Sequence, residues 1–277
     1  CIRDRENYEA LRRLQELDLI KVYTLSVENL YTLYDTENEN GDRVMRNYPT
    51  FRFGWQATEK LKLLFEASAA SQNTIESTDP EEANRWHTDA GIGAGASYWV
   101  GKNTNLCLTL GYAYDAHVLP DFYGELALSR KITRNFDILG SYRYTYDRRD
   151  TIQTDVRESS HLVSAGTIYY FTEHFYSHAQ GYLDTDGKNR YFSIMLHQAY
   201  GFTPRDRGEI FITYGMGKNY LVYSDTTVPL DVRTYGLALS YTRFFTSSFG
   251  LKPSLGYHYR VDFYEDFTFG LEGIYQF

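Results

Sequence analysis

The stretch that decides the fold is Asp266-Phe267-Thr268-Phe269-Gly270-Leu271-Glu272-Gly273-Ile274-Tyr275-Gln276-Phe277. One parity holds apolar or aromatic side chains and Gly273, and the other is small or polar except for Ile274. Successive side chains of a β-strand point to opposite faces of its sheet. This period of two therefore predicts a strand with one apolar face and one polar face.

The stretch resembles the closing strand of bacterial outer-membrane β-barrels, which ends on a phenylalanine with aromatic residues at alternate positions before it. The resemblance implies that Phe277 and Tyr275 form a signal for the barrel assembly machinery. It also implies a chain placed in the outer membrane, in contact with membrane lipid and lipopolysaccharide.

The composition agrees with such a barrel. Mean hydropathy is −0.48 and 23% of the 277 residues are charged, yet 17% are aromatic, with 27 Tyr and 17 Phe. No run approaches the roughly 18 apolar residues of a membrane helix. In a membrane barrel only alternate strand residues meet lipid, and aromatic residues gather at the two interfaces. The net charge of −8 argues against a nucleic-acid partner.

The N-terminal segment, residues 1–19, has a different pattern. Tyr8, Leu11 and Leu14 lie three residues apart among charged neighbours, which predicts an amphipathic helix. Two interpretations are open: a short periplasmic helix packed on a barrel rim, or the last helix of a helical-repeat domain.

Residues 20–277 are predicted to form an all-β, transmembrane, antiparallel up-and-down barrel. The alternation is cleanest at Leu106, Leu108, Leu110, Tyr112 and Tyr114. Counting such segments gives about fourteen strands, with twelve to sixteen allowed, and an even number is typical of bacterial barrels. Residues 156–202 alternate less cleanly, and the pattern does not assign their faces.

A weak repeat marks the connections. Short segments that read aromatic, then Thr or Gly, then polar, then apolar recur about every 35–45 residues. Each interval holds two long strands, whereas a propeller blade of similar length holds four. We predict that these segments are short periplasmic turns and that both termini lie on that side. The predicted outer loops are 35–43, 71–84, 148–155, 184–190, 223–229 and 261–266.

Parity also predicts which side chains face the lumen. Both signs of charge occur among them, and many other inward positions are small, which leaves room for water. The charges either hold the wall together as cross-strand ion pairs or line a solute path. Inward Tyr123 and Phe211 either stack against sugars or fill space. The charged and titratable candidates are Glu28, Arg52, Lys62, Glu66, Glu125, Arg143, Lys252, His258, Arg260 and Glu272.

The sequence offers little catalytic chemistry. His161 and Ser164 suggest an outer-membrane lipid hydrolase, but their spacing puts them on opposite faces of a strand. The acids Asp184, Asp186 and Asp266 invite comparison with outer-membrane proteases, although loop acids are usually solvated. Neither a His-Glu-x-x-His motif nor paired cysteines occur, so no metal site and no cofactor are predicted.

The predicted helix ahead of the first strand, the barrel size and Phe277 are similar to the barrel end of helical-repeat-linked exopolysaccharide exporters of the YaiO and PgaA type. This resemblance implies passage of a sugar polymer and a periplasmic scaffold as partner. Three hypotheses follow: a channel for polar solutes or an exported polysaccharide, a non-conducting barrel that anchors an envelope complex, and a lipid hydrolase.

Overall fold

The computed structural model describes residues 23–37, 43–73, 86–114, 119–151, 154–185, 190–203, 205–223, 226–261 and 264–277. The helix predicted for residues 1–19 lies outside them. No helix in the described ranges is long and apolar enough to cross a membrane.

The described chain forms fourteen antiparallel strands, each hydrogen-bonded to its neighbours in sequence, and β1 pairs with β14 to close the ring. This confirms the predicted meander and strand number. The strands are β1 (Tyr23–Glu37), β2 (Arg43–Gln56), β3 (Leu61–Gln72), β4 (His87–Val100), β5 (Thr104–Tyr114), β6 (Phe122–Thr133), β7 (Phe136–Thr151), β8 (Thr154–Tyr170), β9 (Phe175–Thr185), β10 (Arg190–Thr203), β11 (Asp206–Tyr223), β12 (Thr226–Phe244), β13 (Phe249–Arg260) and β14 (Tyr264–Gln276).

The stretch 266–277 supplies the strand that closes the barrel. Phe277 exchanges backbone hydrogen bonds with Tyr23 at 2.8 and 3.1 Å, and the two rings stack with centroids 5.3 Å apart. Closure pairs both edge strands, so no row of open N–H and C=O groups remains in this part of the sheet.

The outer face of the ring is apolar. Paired residues of antiparallel strands share a face, so the exposed hydrophobic parity continues from strand to strand. A surface of this extent and composition is suited to hydrocarbon and not to water. Its middle band includes Val27, Leu108, Leu110, Leu126, Leu128, Val163, Ile194, Leu196, Ile210, Ile212, Leu237, Leu239, Leu255 and Leu271.

Aromatic side chains border this band at both ends. Near the termini Phe202 contacts Tyr200 and Tyr241, with ring centroids 5.0 and 6.4 Å apart. Near the opposite end Tyr235 contacts Tyr214 and Tyr259 at 5.3 and 6.4 Å. Two aromatic borders are the arrangement expected of a barrel that crosses a membrane.

The predicted repeat segments are the short turns, and all lie at the end of the barrel that carries both termini. In the turn after β4, Gly101 adopts φ +73°, a conformation that glycine adopts without strain. The end with the termini is called the short-turn end below, and the other is the long-loop end.

Two predicted loops are wrong. Residues 148–155 are largely strand, since β7 extends to Thr151 and β8 begins at Thr154. Residues 223–229 are likewise strand except at 224–225, which are not described. The predicted loop 261–266 is strand from Tyr264 onward. The strands of these hairpins are therefore longer than the apolar alternation indicates.

A small core lies inside the ring at the long-loop end. Leu119, which precedes β6, is buried against inward Ala70 and Ala113, with Tyr48 packed beside them. The Leu119 N–H donates a 2.7 Å hydrogen bond to Asp89 on β4. The connection from β5 to β6 therefore folds into the lumen at Leu119.

Candidate functional site: the charged lumen wall

All ten predicted lumen residues lie on the inward face. Their strands carry exposed apolar side chains on the opposite parity, and the strand registers keep the two faces separate around the ring. The exception noted in the sequence, Ile274, is also inward, beside Gly250 of β13. The lumen wall is therefore polar and charged where the outer wall is apolar.

Arg52 of β2 lies between two glutamates of the neighbouring strands. Its Nη1 donates to Glu28 Oε2 at 2.7 Å, and its Nε donates to Glu66 Oε2 at 2.9 Å. Side-chain exposures of 42% for Arg52, 18% for Glu28 and 29% for Glu66 put the group at the wall surface. This triad ties β1, β2 and β3 together with charge-assisted hydrogen bonds.

Glu209 of β11 is the centre of a second network. Its carboxylate lies 2.7 Å from Arg207 Nη2 and 3.5 Å from both Lys252 Nζ and His197 Nε2, and it accepts a 3.0 Å hydrogen bond from Ser240. The Glu209 side chain is only 9% exposed. A carboxylate buried this deeply requires such partners, since burial without them is costly.

The two networks belong to one belt of charge. Glu28 and Glu272 are direct register partners across the closing pair, as are Glu272 and Lys252 on the next pair. Lys252 Nζ lies 4.0 Å from Glu272 and 3.5 Å from Glu209. The belt extends from β3 through the barrel closure to β11, with ion pairs on both sides of the closing pair and two like charges, Glu28 and Glu272, facing each other across it.

Aromatic rings continue the wall beyond the belt. His197 of β10 stacks on Phe211 with centroids 4.0 Å apart and planes inclined by 8°, and Tyr176 of β9 contacts His197 edge-on at 5.5 Å. Arg207 lies over the Tyr176 ring and hydrogen-bonds its hydroxyl. Phe211 is inward as predicted, and here it fills space against His197.

Glu209, Arg207, Ser240 and His197 were not predicted as site residues. The missed signal is the inward parity that Arg207 and Glu209 share with Phe211 on β11. His197 lies in the stretch whose faces the sequence did not assign.

A recess of about 360 Å³ opens on the wall of β1 to β6. Gly54, Gly93 and Gly95 lie along it, and a Cβ at Gly95 would come within 2.9 Å of the Leu108 carbonyl oxygen. Arg52, Lys62, Glu66 and Tyr123 supply its polar groups. Within the described chain no carboxylate pairs with Lys62, so the recess presents an ammonium group to the lumen.

Tyr123 lies flat along the wall. Its ring covers Gly111 of β5, and its hydroxyl would lie 3.1 Å from a Cβ built on Gly93 of β4. The Arg143 guanidinium lies 4.5 Å from the Tyr123 ring centroid. Arg143 of β7 and Glu125 of β6 are register partners. Arg143 nevertheless stacks on Tyr123 and forms no ion pair with Glu125.

Gly111→Ala should lift Tyr123 off the wall. A Cβ at Gly111 would overlap the ring, so Tyr123 must rotate toward the lumen or the strands must separate, at a cost of about 1–3 kcal/mol. We expect a lower unfolding midpoint in detergent. Gly256→Ala is the matched control, because its nearest contact would be an ordinary 3.6 Å to Thr268. Equal behaviour of the two variants would contradict this packing.

The remaining predicted residues lie nearer the long-loop end. His258 of β13 pairs with Asp266 of β14 at 3.1 Å, and Arg260 lies one inward step beyond His258. Asp266 is therefore the buried partner of a histidine and not a solvated loop acid. Asp184 lies inward at the end of β9, and Asp186 is outside the described residues.

His161 and Ser164 face opposite sides of the wall, as the sequence predicted. His161 is on the outer face, where Nδ1 lies 2.8 Å from the Tyr142 hydroxyl. Ser164 is buried on the lumen side and hydrogen-bonds Ser141 and Gln180, both at 2.7 Å. The barrel wall separates the two, so His161 cannot act as a base for Ser164. Among the described residues no His, Cys, Asp and Glu cluster could hold a metal ion.

A closed fourteen-strand meander with an apolar outer band, two aromatic borders and a polar lumen is the fold of outer-membrane β-barrels. Solved structures agree. The CymD monoaromatic hydrocarbon channel matches with a TM-score of 0.60 at 10% identity, over 94% of this chain and 90% of its own.

An outer-membrane channel from Pseudomonas putida F1 matches at 0.58 and 14% identity, over 93% and 96% of the two chains. A bacterial polysaccharide outer membrane secretin matches at 0.53 and 8% identity, over 91% and 98%. At these identities the similarity establishes the fold. No family model matches the sequence, and no curated protein matches it.

Proposed function

We propose that this chain is a channel of the bacterial outer membrane that passes small polar solutes along a lumen of mixed charge. The observation that carries the proposal is the belt of charged side chains from Glu66 to Glu209, with the open ammonium of Lys62 in the recess beside it. Paired charges present both signs to a passing solute, which favours polar solutes without strong selection for one sign.

The proposal differs from what the name of one neighbour suggests. CymD is described as a channel for monoaromatic hydrocarbons, and the Pseudomonas putida F1 protein is described only as a channel. An apolar solute would gain nothing from the ion-paired wall seen here, since displacing water from charged groups is costly. The side chains of the lumen therefore favour a polar solute over a hydrocarbon.

A second candidate is export of a polysaccharide. The inward rings Tyr176, Tyr182 and Tyr191 lie on β9 and β10, and aromatic faces are suited to stacking on sugar rings. One neighbour is described as a polysaccharide secretin. In this version the periplasmic helical-repeat scaffold suggested by residues 1–19 would deliver the polymer.

The membrane arrangement is part of the proposal. The short-turn end, with both termini, would face the periplasm, and the long-loop end would face outside. Phe277 and Tyr275 would be recognised by the barrel assembly machinery before Phe277 closes onto Tyr23.

The test is conductance in planar bilayers of protein whose folding has been verified by heat-dependent gel migration. We expect stepwise current increments with weak ion selectivity, and partial block by oligosaccharides if the polymer version holds. Swelling of proteoliposomes in neutral sugars would measure passage of uncharged polar solutes. A folded barrel that gives neither current nor swelling would overturn the channel and leave the non-conducting anchor.

A further inference from the structure

One stretch of the outer wall is polar. At the long-loop end of β8, β9 and β10, the outward residues His161, Thr185 and Arg190 lie in one row, since Thr185 is the register partner of both others. With Ser159 and Leu183 they line a groove of about 350 Å³ that opens away from the lumen. This is called the outer polar groove below.

Side chains that line the groove can each make a further hydrogen bond. Tyr142 engages Nδ1 of His161 at 2.8 Å, which leaves Nε2 for a further partner. Rings of Tyr142 and Tyr144 at 6.0 and 5.3 Å hold the imidazole in place. Arg190 is exposed, and no residue in the described ranges forms an ion pair with it. A guanidinium, an imidazole and hydroxyl groups together are suited to a phosphate oxygen.

The rows below the groove are apolar. Val163, Leu183 and Phe192 form the next outward row toward the membrane centre and are 49%, 46% and 43% exposed. The row after that is Ala165, Gly181 and Ile194, which carries no polar side chain. An occupant of this surface is therefore anionic at one end and hydrocarbon along the rest.

We propose that the outer polar groove binds the phosphate-bearing headgroup of a membrane lipid, whose acyl chains lie along the apolar rows below. An arginine on a lipid-facing strand is costly unless it reaches the interface or an anion, and a lipid phosphate supplies both. Free phosphate would bind only the polar row of His161, Thr185 and Arg190. It would leave the apolar side chains of Val163, Leu183 and Phe192 without a contact. Lipopolysaccharide, whose lipid part carries phosphate on a sugar, is the lipid of this chemistry at the outer face of an outer membrane.

The experiment titrates detergent-solubilised, folded barrel with bis-phosphorylated lipid A and counts bound lipid by native mass spectrometry. Dephosphorylated lipid A and inorganic phosphate are the comparison ligands. Arg190→Gln and His161→Gln test the groove, and Arg130→Gln is the matched control, an outward arginine near the turn of the short-turn end. Heat-dependent gel migration verifies that each variant is folded.

We expect wild type and Arg130→Gln to bind lipid A equally and Arg190→Gln to bind about tenfold more weakly. We also expect wild type to bind dephosphorylated lipid A about as weakly as Arg190→Gln binds lipid A. The affinity of wild type for lipid A should fall as salt is raised. Equal binding by Arg190→Gln and wild type, equal binding of dephosphorylated lipid, or displacement of lipid by equimolar inorganic phosphate would each overturn the proposal. The inference rests on the proposed outward placement of the long-loop end, but channel activity does not enter this test, so failure of lipid binding and failure of conductance are distinguishable.

Discussion

Glu209→Gln should destabilise the barrel and shift its ion selectivity toward anions. The substitution keeps the size of the side chain but removes the charge that neutralises Arg207 and Lys252. Because Glu209 is buried, loss of one partner from this network is expected to cost about 3 kcal/mol, measured as a lower unfolding midpoint in detergent. The uncompensated cations should raise anion over cation permeability by about a factor of five at low salt, and by less at high salt.

Glu272→Gln is the matched control for Glu209. It removes the same charge from the same belt, but its contact with Lys252 is long, at 4.0 Å. We expect a similar direction of selectivity change with a much smaller loss of stability. If both variants lose equal stability, Glu209 is not the centre of the network. If neither changes reversal potential, the belt does not face the conducting path.

Outside residues 156–202, the sequence was sufficient for the faces of the wall but not for its contacts. Parity placed Arg52 and Lys252 inward because strand pairing preserves a face around a closed ring. Contacts depend on register, which the alternation does not fix. Arg52 binds Glu28 and Glu66, 24 and 14 residues away, and no pattern in the sequence distinguished these glutamates from Glu125, which lacks an ion pair with its cross-strand Arg143.

Strand ends were harder to predict than strand centres. Hydrocarbon imposes the alternation only along the apolar band, so the pattern did not mark the full length of β7, β8, β11 and β12. Leu119 was missed for a related reason. It precedes β6 and is buried against Ala70 and Ala113, and no periodicity marks a residue outside the strands.

Arg52→Met should shift selectivity in the opposite direction from Glu209→Gln. Methionine approximates the length of the side chain, and its loss of charge leaves Glu28 and Glu66 without their shared partner. Reversal potentials should then favour cations. Because Arg52 is 42% exposed and water screens the glutamates, the loss of unfolding free energy should be only about 1–2 kcal/mol.

Lys62→Met distinguishes the effect of the Arg52 charge on ion selectivity from the effect of the Arg52 ion pairs on stability. It removes one positive charge from the same recess but breaks no ion pair in the described chain. Both methionine variants should therefore gain cation preference, while only Arg52→Met should lower the unfolding midpoint. Arg52→Lys should restore selectivity but not the full stability, since one ammonium cannot reproduce the two donors that Nε and Nη1 direct at separate strands. A loss of stability in Lys62→Met equal to that in Arg52→Met would mean that the triad does not hold β1, β2 and β3 together.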